Sequence, residues 1–231
     1  MRSASGYELL LTDKFVDDLR RLAADARRDP GKVYLRQQVL RQIEQLSSGN
    51  TDGHHVLGYE AGKGDLRDCV VGYVQSDPEQ KADYRLVFRE IGPDAPGDLP
   101  RRELLAIKPR RGSNNIYAHV CARLNRHPAD RQPGLDRFGD RPADSGGSQA
   151  SRQAELDTKR AIAHAWTGQR PLASSRPLTL VAGPSQSYAE TASRSWAPAR
   201  AGPHTAPGPP RPASARSGPT GWPTRHTQFR A

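Results

Sequence analysis

Cysteine is almost missing from this 231-residue chain. Cys69 and Cys121 are its only two, and a pair of thiols without C-x-x-C spacing builds neither a disulfide framework nor a zinc site. They read as small buried side chains in a reducing compartment, which points to the cytoplasm. Long apolar runs are missing as well. Nothing approaches the ~18 residues of a membrane span, and Leu9, Leu10 and Leu11 are too few for the core of a secretory signal. Metal-ligand spacing is absent too: His54-His55 has no third ligand at a suitable distance, so neither metal nor cofactor is expected. Negative charge is scarce relative to positive. With 35 Lys+Arg against 25 Asp+Glu the net charge is +10, which favours a polyanionic partner such as nucleic acid.

The apolar residues are unevenly spread. Leu, Ile, Val and Phe recur densely as far as Arg126 and thin out afterwards. Residues 1–127 carry 21 Lys+Arg and 18 Asp+Glu, whereas 128–231 carry 14 and 7 and hold 14 of the 20 prolines. Such a segment buries too little apolar surface to offset about 1–2 kcal/mol of backbone ordering entropy per residue. The expectation is a folded domain over 1–127 and a disordered tail over 128–231, either a basic arm or a gene-boundary accident. Within the tail only Gln153 to Trp166 has helical character, with Leu156, Ile162 and Trp166 as its apolar residues.

The first part reads as α+β. Tyr7 to Leu11 is a short strand, and Thr12-Asp13 then supplies an N-cap and an acidic first turn. Phe15, Leu19, Leu22 and Ala26 form one helical stripe, and the helix ends near Arg28. Asp29-Pro30 opens a second helix with Val33, Val39, Leu40, Ile43 and Leu46 on its inner face, and Gly49-Asn50 stops it. Three strands follow, over 65–74, 83–91 and 102–108, and the short breakers between them predict antiparallel hairpins. A helix over 114–126 closes a β-α-α-β-β-β-α order, with Ile116, Val120 and Leu124 on one side. Two helices are expected to bury one face of an antiparallel sheet, leaving the other partly open.

Alternation along 83–91 sends Tyr84, Leu86 and Phe88 to the core and Arg85, Val87 and Arg89 to that second face. Arg67 on the preceding strand, Lys108, Arg110 and Arg111 at the end of the last one, and Tyr117 on the closing helix gather around it. Guanidinium forks pair with phosphate oxygens and a tyrosine ring stacks on an unstacked base, so the set suits RNA. Spacing alone equally describes a solvated basic rim with Tyr117 packed into the core.

Taken in order, several local patterns are shared with one protein family. They are Leu57-Gly58, Gly64-Asp65-Leu66-Arg67, Asp83-Tyr84-Arg85-Leu86-Val87-Phe88, Leu104-Leu105-Ala106-Ile107 running into Arg110-Arg111, Asn115-Ile116-Tyr117 and Ala122-Arg123-Leu124. Residues 6–127 thereby resemble the RelE/ParE toxins of bacterial type II toxin–antitoxin systems. The resemblance implies a metal-independent, ribosome-dependent mRNA endoribonuclease that attacks a phosphodiester with the neighbouring ribose 2′-OH. Carried over by position, Arg85 grips the phosphate, Arg111 stabilises the transition state and Tyr117 stacks on or orients the substrate, making these the catalytic set. Arg67, Arg89, Lys108 and Arg110 are the RNA-binding set. A cognate antitoxin is implied as partner, with operator DNA met only through the toxin–antitoxin complex. Departures are Cys69 at a strand position that is basic in the family and long hairpin loops at 75–82 and 92–101. A ParE-like gyrase inhibitor, which binds without cutting, is the alternative from another class. An inactive degenerate toxin is the third.

Overall fold

The computed structural model describes residues 6–60, 64–111, 115–127, 130–139, 148–166 and 168–178. Strand β1 (Glu8–Leu11) leads into α1 (Asp13–Arg28) through Thr12. The Thr12 hydroxyl accepts the Phe15 N–H at 3.1 Å and donates to the Leu104 carbonyl at 3.2 Å, so one side chain caps the helix and ties it to the sheet. Asp29 accepts the Gly31 N–H to open α2 (Gly31–Ser48), and Gly49, with φ of 72°, ends it in the left-handed region. Three two-residue strands follow: β2 (His55–Val56), β3 (Tyr59–Glu60) and β4 (Gly64–Asp65). Then come β5 (Cys69–Val74), β6 (Tyr84–Ile91), β7 (Arg101–Pro109) and α3 (Ile116–Arg123).

The main sheet has six strands in the order β2-β5-β6-β7-β1-β8, where β8 is Arg176–Pro177. The expected hairpins hold for β5, β6 and β7, but the sheet as a whole is mixed, because β1 pairs with β7 in parallel. Hairpin reversal binds only strands joined by tight turns; β1 reaches the sheet through two helices and escapes it. Helices α1 and α2 bury one face, where Phe15, Leu35, Val39 and Leu46 meet Leu86, Phe88 and Leu104. Val33 and Leu40, expected on the inner side of α2, are 40% and 45% exposed, and Leu35 takes their place.

The second face is not open. Ile116, Val120 and Cys121 of α3 cover Val71, Val87 and Ala106 in a second apolar cluster. The boundary expected at residue 127 is also displaced. The chain divides into units Met1–Val181 and Ala182–Ala231, and the second lies outside the described residues, together with what was expected of it. Helix α4 (Gln149–Ala165), capped by Ser148, buries Leu156, Lys159 and Ala163 at helical spacing against β2 and β6. Strand β8 then pairs antiparallel with β1. The helical character read over Gln153 to Trp166 is realised, starting four residues earlier, but composition averaged over a hundred residues placed it in a disordered tail rather than in the fold. No described helix is long and apolar enough to cross a membrane.

Gly53 sets the start of β2. Its φ of 85° is left-handed, and a Cβ there would lie 2.6 Å from Val70 Cγ1 and 3.2 Å from Phe88 Cε1. Gly53→Ala should therefore cost about 2–5 kcal/mol, combining ~1–2 for the left-handed backbone with ~1–3 for overpacking. A urea midpoint equal to the parent's would contradict this.

Candidate functional site

Strand parity correctly assigns Arg85 and Arg89 to the face of Val87, but that face is interior, and the predicted basic residues separate into two groups. Arg67, 1% exposed, is consumed by Asp65 (2.9 Å from Nε, 2.8 Å from Nη2) and Asp136 (2.7 Å). Its hydrogen bonds to Asp65 hold the guanidinium well above its ordinary range despite burial. Arg89 is likewise buried, its Nε 2.7 Å from Glu103 and its Nη1 3.6 Å from Asp68. These two arginines do not reach an RNA-accessible surface, which corrects their assignment to the RNA-binding set. They anchor the segment after α3, as Gln132, Gln169 and Leu172 donate to Asp65, Asp68 and Glu103 in the same network.

The second group gathers at the other end of the face. Arg85 is 4% exposed, with Nη1 donating to the carbonyls of Tyr84 at 2.8 Å and Ala82 at 3.0 Å. Its guanidinium carbon lies 4.0 Å from the centre of the Tyr73 ring, and the Tyr117 hydroxyl is near enough to act on its charge. Asn115 caps α3 by accepting the Tyr117 N–H at 2.9 Å, which sets the ring on its side of the helix. Arg110 and Arg111 lie exposed at the end of β7. Lys108 faces Arg85 across the strand pair but is drawn to Asp18 at 3.1 Å. The structure thus brings Arg85 and Tyr117 together, with Arg110 near enough to influence both. The turn at 112–114 lies outside the described residues.

Arg85 differs from the other buried arginines in one respect. Arg67, Arg89, Arg102 and Arg126 each pair with a carboxylate. Among the described residues Arg85 has no carboxylate partner; its neighbours are two carbonyls and two phenols. Burial pulls its pKa below the ordinary value, opposed by Tyr73 and Tyr117. Burial raises the Tyr117 hydroxyl, outweighing Arg85, so it stays protonated near neutral pH. A cation held in place by neutral acceptors, with its charge uncompensated, favours an incoming anion.

Two residues that strand and helix patterns did not reveal complete the cluster. The His54 ring stacks on Tyr73 with centroids 4.5 Å apart, and His55 Nδ1 lies 2.9 Å from the Tyr73 hydroxyl. The only sequence signal was Gly53 and Val56 bracketing them, which marks a strand start. His54 Nδ1 accepts the Tyr73 backbone N–H at 3.1 Å, so the neutral ring carries its proton on Nε2 and is a donor there. Burial, followed by Arg85 and Arg152, holds His54 below the usual value of 6.5.

The unfolded chain therefore takes up this proton at a higher pH than the folded one. The stabilising contribution is complete above about pH 6.5 and is lost as the pH falls through the folded pKa. Urea midpoints of the parent should fall more steeply between pH 7.5 and 5.5 than those of His54→Asn. Parallel profiles would show that His54 carries no such linkage.

Comparison with known proteins supplies no relative: no family model, curated protein or solved structure matches the chain.

Proposed function

We propose that this protein is a RelE/ParE-type toxin of a type II toxin–antitoxin system, acting as a metal-independent, ribosome-dependent mRNA endoribonuclease. The observation that carries the reading is Arg85, a buried guanidinium without a carboxylate partner among the described residues, bounded by Tyr73 and Tyr117. The succession of β1, α1, α2, β5, β6, β7 and α3 supports the same family, with α4 and β8 as additions.

In the proposed reaction a ribose 2′-oxygen attacks the adjacent phosphorus, and negative charge builds on the phosphoryl oxygens. Arg85 meets that charge from below, and the exposed Arg110 and Arg111 meet it from the rim, Arg111 as transition-state stabiliser. Tyr117 stacks on or orients the nucleotide. The 5′-oxygen leaves with a proton, giving a 2′,3′-cyclic phosphate and a 5′-OH end. An antitoxin of complementary acidity would cover Arg110 and Arg111, and operator DNA would be met only through that complex.

Tyr117 supplies the test. Stacking on one base is worth about 1–3 kcal/mol, so Tyr117→Ala should weaken RNA binding roughly 5- to 150-fold and lose cleavage, while Tyr117→Phe keeps the ring and most binding. Primer extension on mRNA in translating ribosomes reads the cuts, beside a gyrase supercoiling assay with the same protein. Intact mRNA with inhibited supercoiling would replace the nuclease with the ParE-like reading. Neither effect would identify an inactive toxin.

A further inference from the structure

A cavity of about 480 Å³ opens between the start of α1 and the outer side of α3. Lys14 and Arg21 of α1, Lys108 of β7 and His119 and Arg123 of α3 all line it, and no carboxylate does among the described residues. The acid behind them, Asp18, is buried and already engaged. It lies 3.1 Å from Lys108 Nζ and 2.8 Å from Arg123 Nη1, and it accepts the Ile107 N–H at 3.3 Å. Lys14 reaches only the exposed Asp17, at 4.0 Å, a surface pair of little strength. Arg21 has no ion pair among the described residues. Four permanent cations thus converge on one cavity with a single engaged carboxylate behind it. Burial, then Lys108 and Arg123, hold His119 below its ordinary value, leaving a neutral ring with one N–H to donate.

We infer that this cavity is a phosphate subsite that accepts a phosphorylated nucleotide, with Lys14, Arg21 and Arg123 holding the phosphate and Leu172 beside the base. Its volume lies in the lower part of the ~300–1,000 Å³ typical of small-ligand sites, matching a mononucleotide rather than a bare ion. Lys108 connects it to the candidate active site, being the cross-strand partner of Arg85. Tyr117 and His119 stand two residues apart at the start of α3, one turned to each site. The phosphate therefore has two sources: a free nucleotide, or a neighbouring phosphate of an RNA strand engaged at Arg85. The second source rests on the proposed nuclease reading; the first does not.

The test uses the full chain, the double variant Lys14→Gln/Arg21→Gln and a control, Arg27→Gln/Arg28→Gln, at the far end of α1. Binding of a fluorescein-labelled 12-nucleotide RNA, 2′-O-methylated so that it cannot be cut, is measured by anisotropy from 50 to 300 mM salt. Binding of AMP is measured by calorimetry. With about 0.7 units of slope per phosphate contact on single strands, losing this one phosphate in the double variant should lower the log–log salt slope by about 0.7 if RNA is the source. If a free nucleotide is the source, AMP binding should weaken about tenfold with the RNA slope unchanged. No change in either, or an equal loss of slope in the control, overturns the subsite. Because the RNA is uncleavable, the result stands apart from ribosomal cleavage: a lost slope without mRNA cuts would fail the nuclease and keep the subsite.

Discussion

Asp68→Asn should destabilise the fold by about 3–5 kcal/mol, the usual cost of removing one partner from a buried ion pair. Asp68 is fully buried between the sheet and the segment that follows α3. It accepts from Arg126 at 2.6 and 2.7 Å and from Gln169 at 2.9 Å, with Arg89 at 3.6 Å. The amide keeps the shape but not the charge, so the Arg126 guanidinium is left without its counter-ion in a dry site. Burial pushes the Asp68 carboxyl up, but hydrogen bonds and charge from Arg126, with Arg89 and Lys159, outweigh it and hold the pKa well below the usual 3.8. The contribution is therefore complete above about pH 4 and is lost as the pH falls through the lower folded value. Urea denaturation at pH 7 should show the loss in the variant, and the parent should approach the variant's stability in strong acid. A variant within about 1 kcal/mol of the parent at pH 7 would show that the network is not a principal support.

Arg85→Gln should reduce toxicity and RNA cleavage by 10²–10³-fold, the scale seen when one preorganised electrostatic group is removed from a transition state. Because Arg85 is buried, stacked on Tyr73 and bonded to two carbonyls, the change also carries a stability cost of about 1–3 kcal/mol. Arg111→Gln separates the two effects. Arg111 is exposed, so its replacement should move stability by no more than about 0.5 kcal/mol while still lowering cleavage. If both variants arrest growth as the parent does, with folding intact by circular dichroism, the Arg85 cluster is not the site.

The types of the longer elements before residue 127 were legible because local signals agreed with tertiary need, whereas the two-residue strands at His55–Val56 and Tyr59–Glu60 were not. The Thr12 cap, the Gly49 stop and the parity of Tyr84, Leu86 and Phe88 each have one physical reading, and each is met. What failed was the inference from an arginine to a surface. Arg67 and Arg89 look like solvent-facing cations in a strand pattern, yet the buried Asp65, Asp68 and Glu103 neutralise them inside, and the exposed Asp136 closes over Arg67 from outside. Asp136 lies 69 residues from Arg67, a pairing that no local pattern encodes. The second face closed for the same reason, since its cover comes partly from beyond residue 130. His54 joined the cluster through the strand register that lays β2 on β5, which two-residue pairing hides from periodicity. Arg85 and Tyr117, by contrast, are both legible in the sequence, and the fold brings them near enough for each to act on the other's charge.

The most direct measurement of the central claim is the chemistry of RNA ends. Purified protein is added to ribosomes translating one defined mRNA. Products are then treated with polynucleotide kinase and mapped. The proposed reaction predicts cuts whose 5′ ends accept a labelled phosphate without prior dephosphorylation and whose 3′ ends are 2′,3′-cyclic phosphates, with cutting lost in Arg85→Gln. Cuts leaving 5′-phosphates, or cutting that persists undiminished in folded Arg85→Gln, would contradict it.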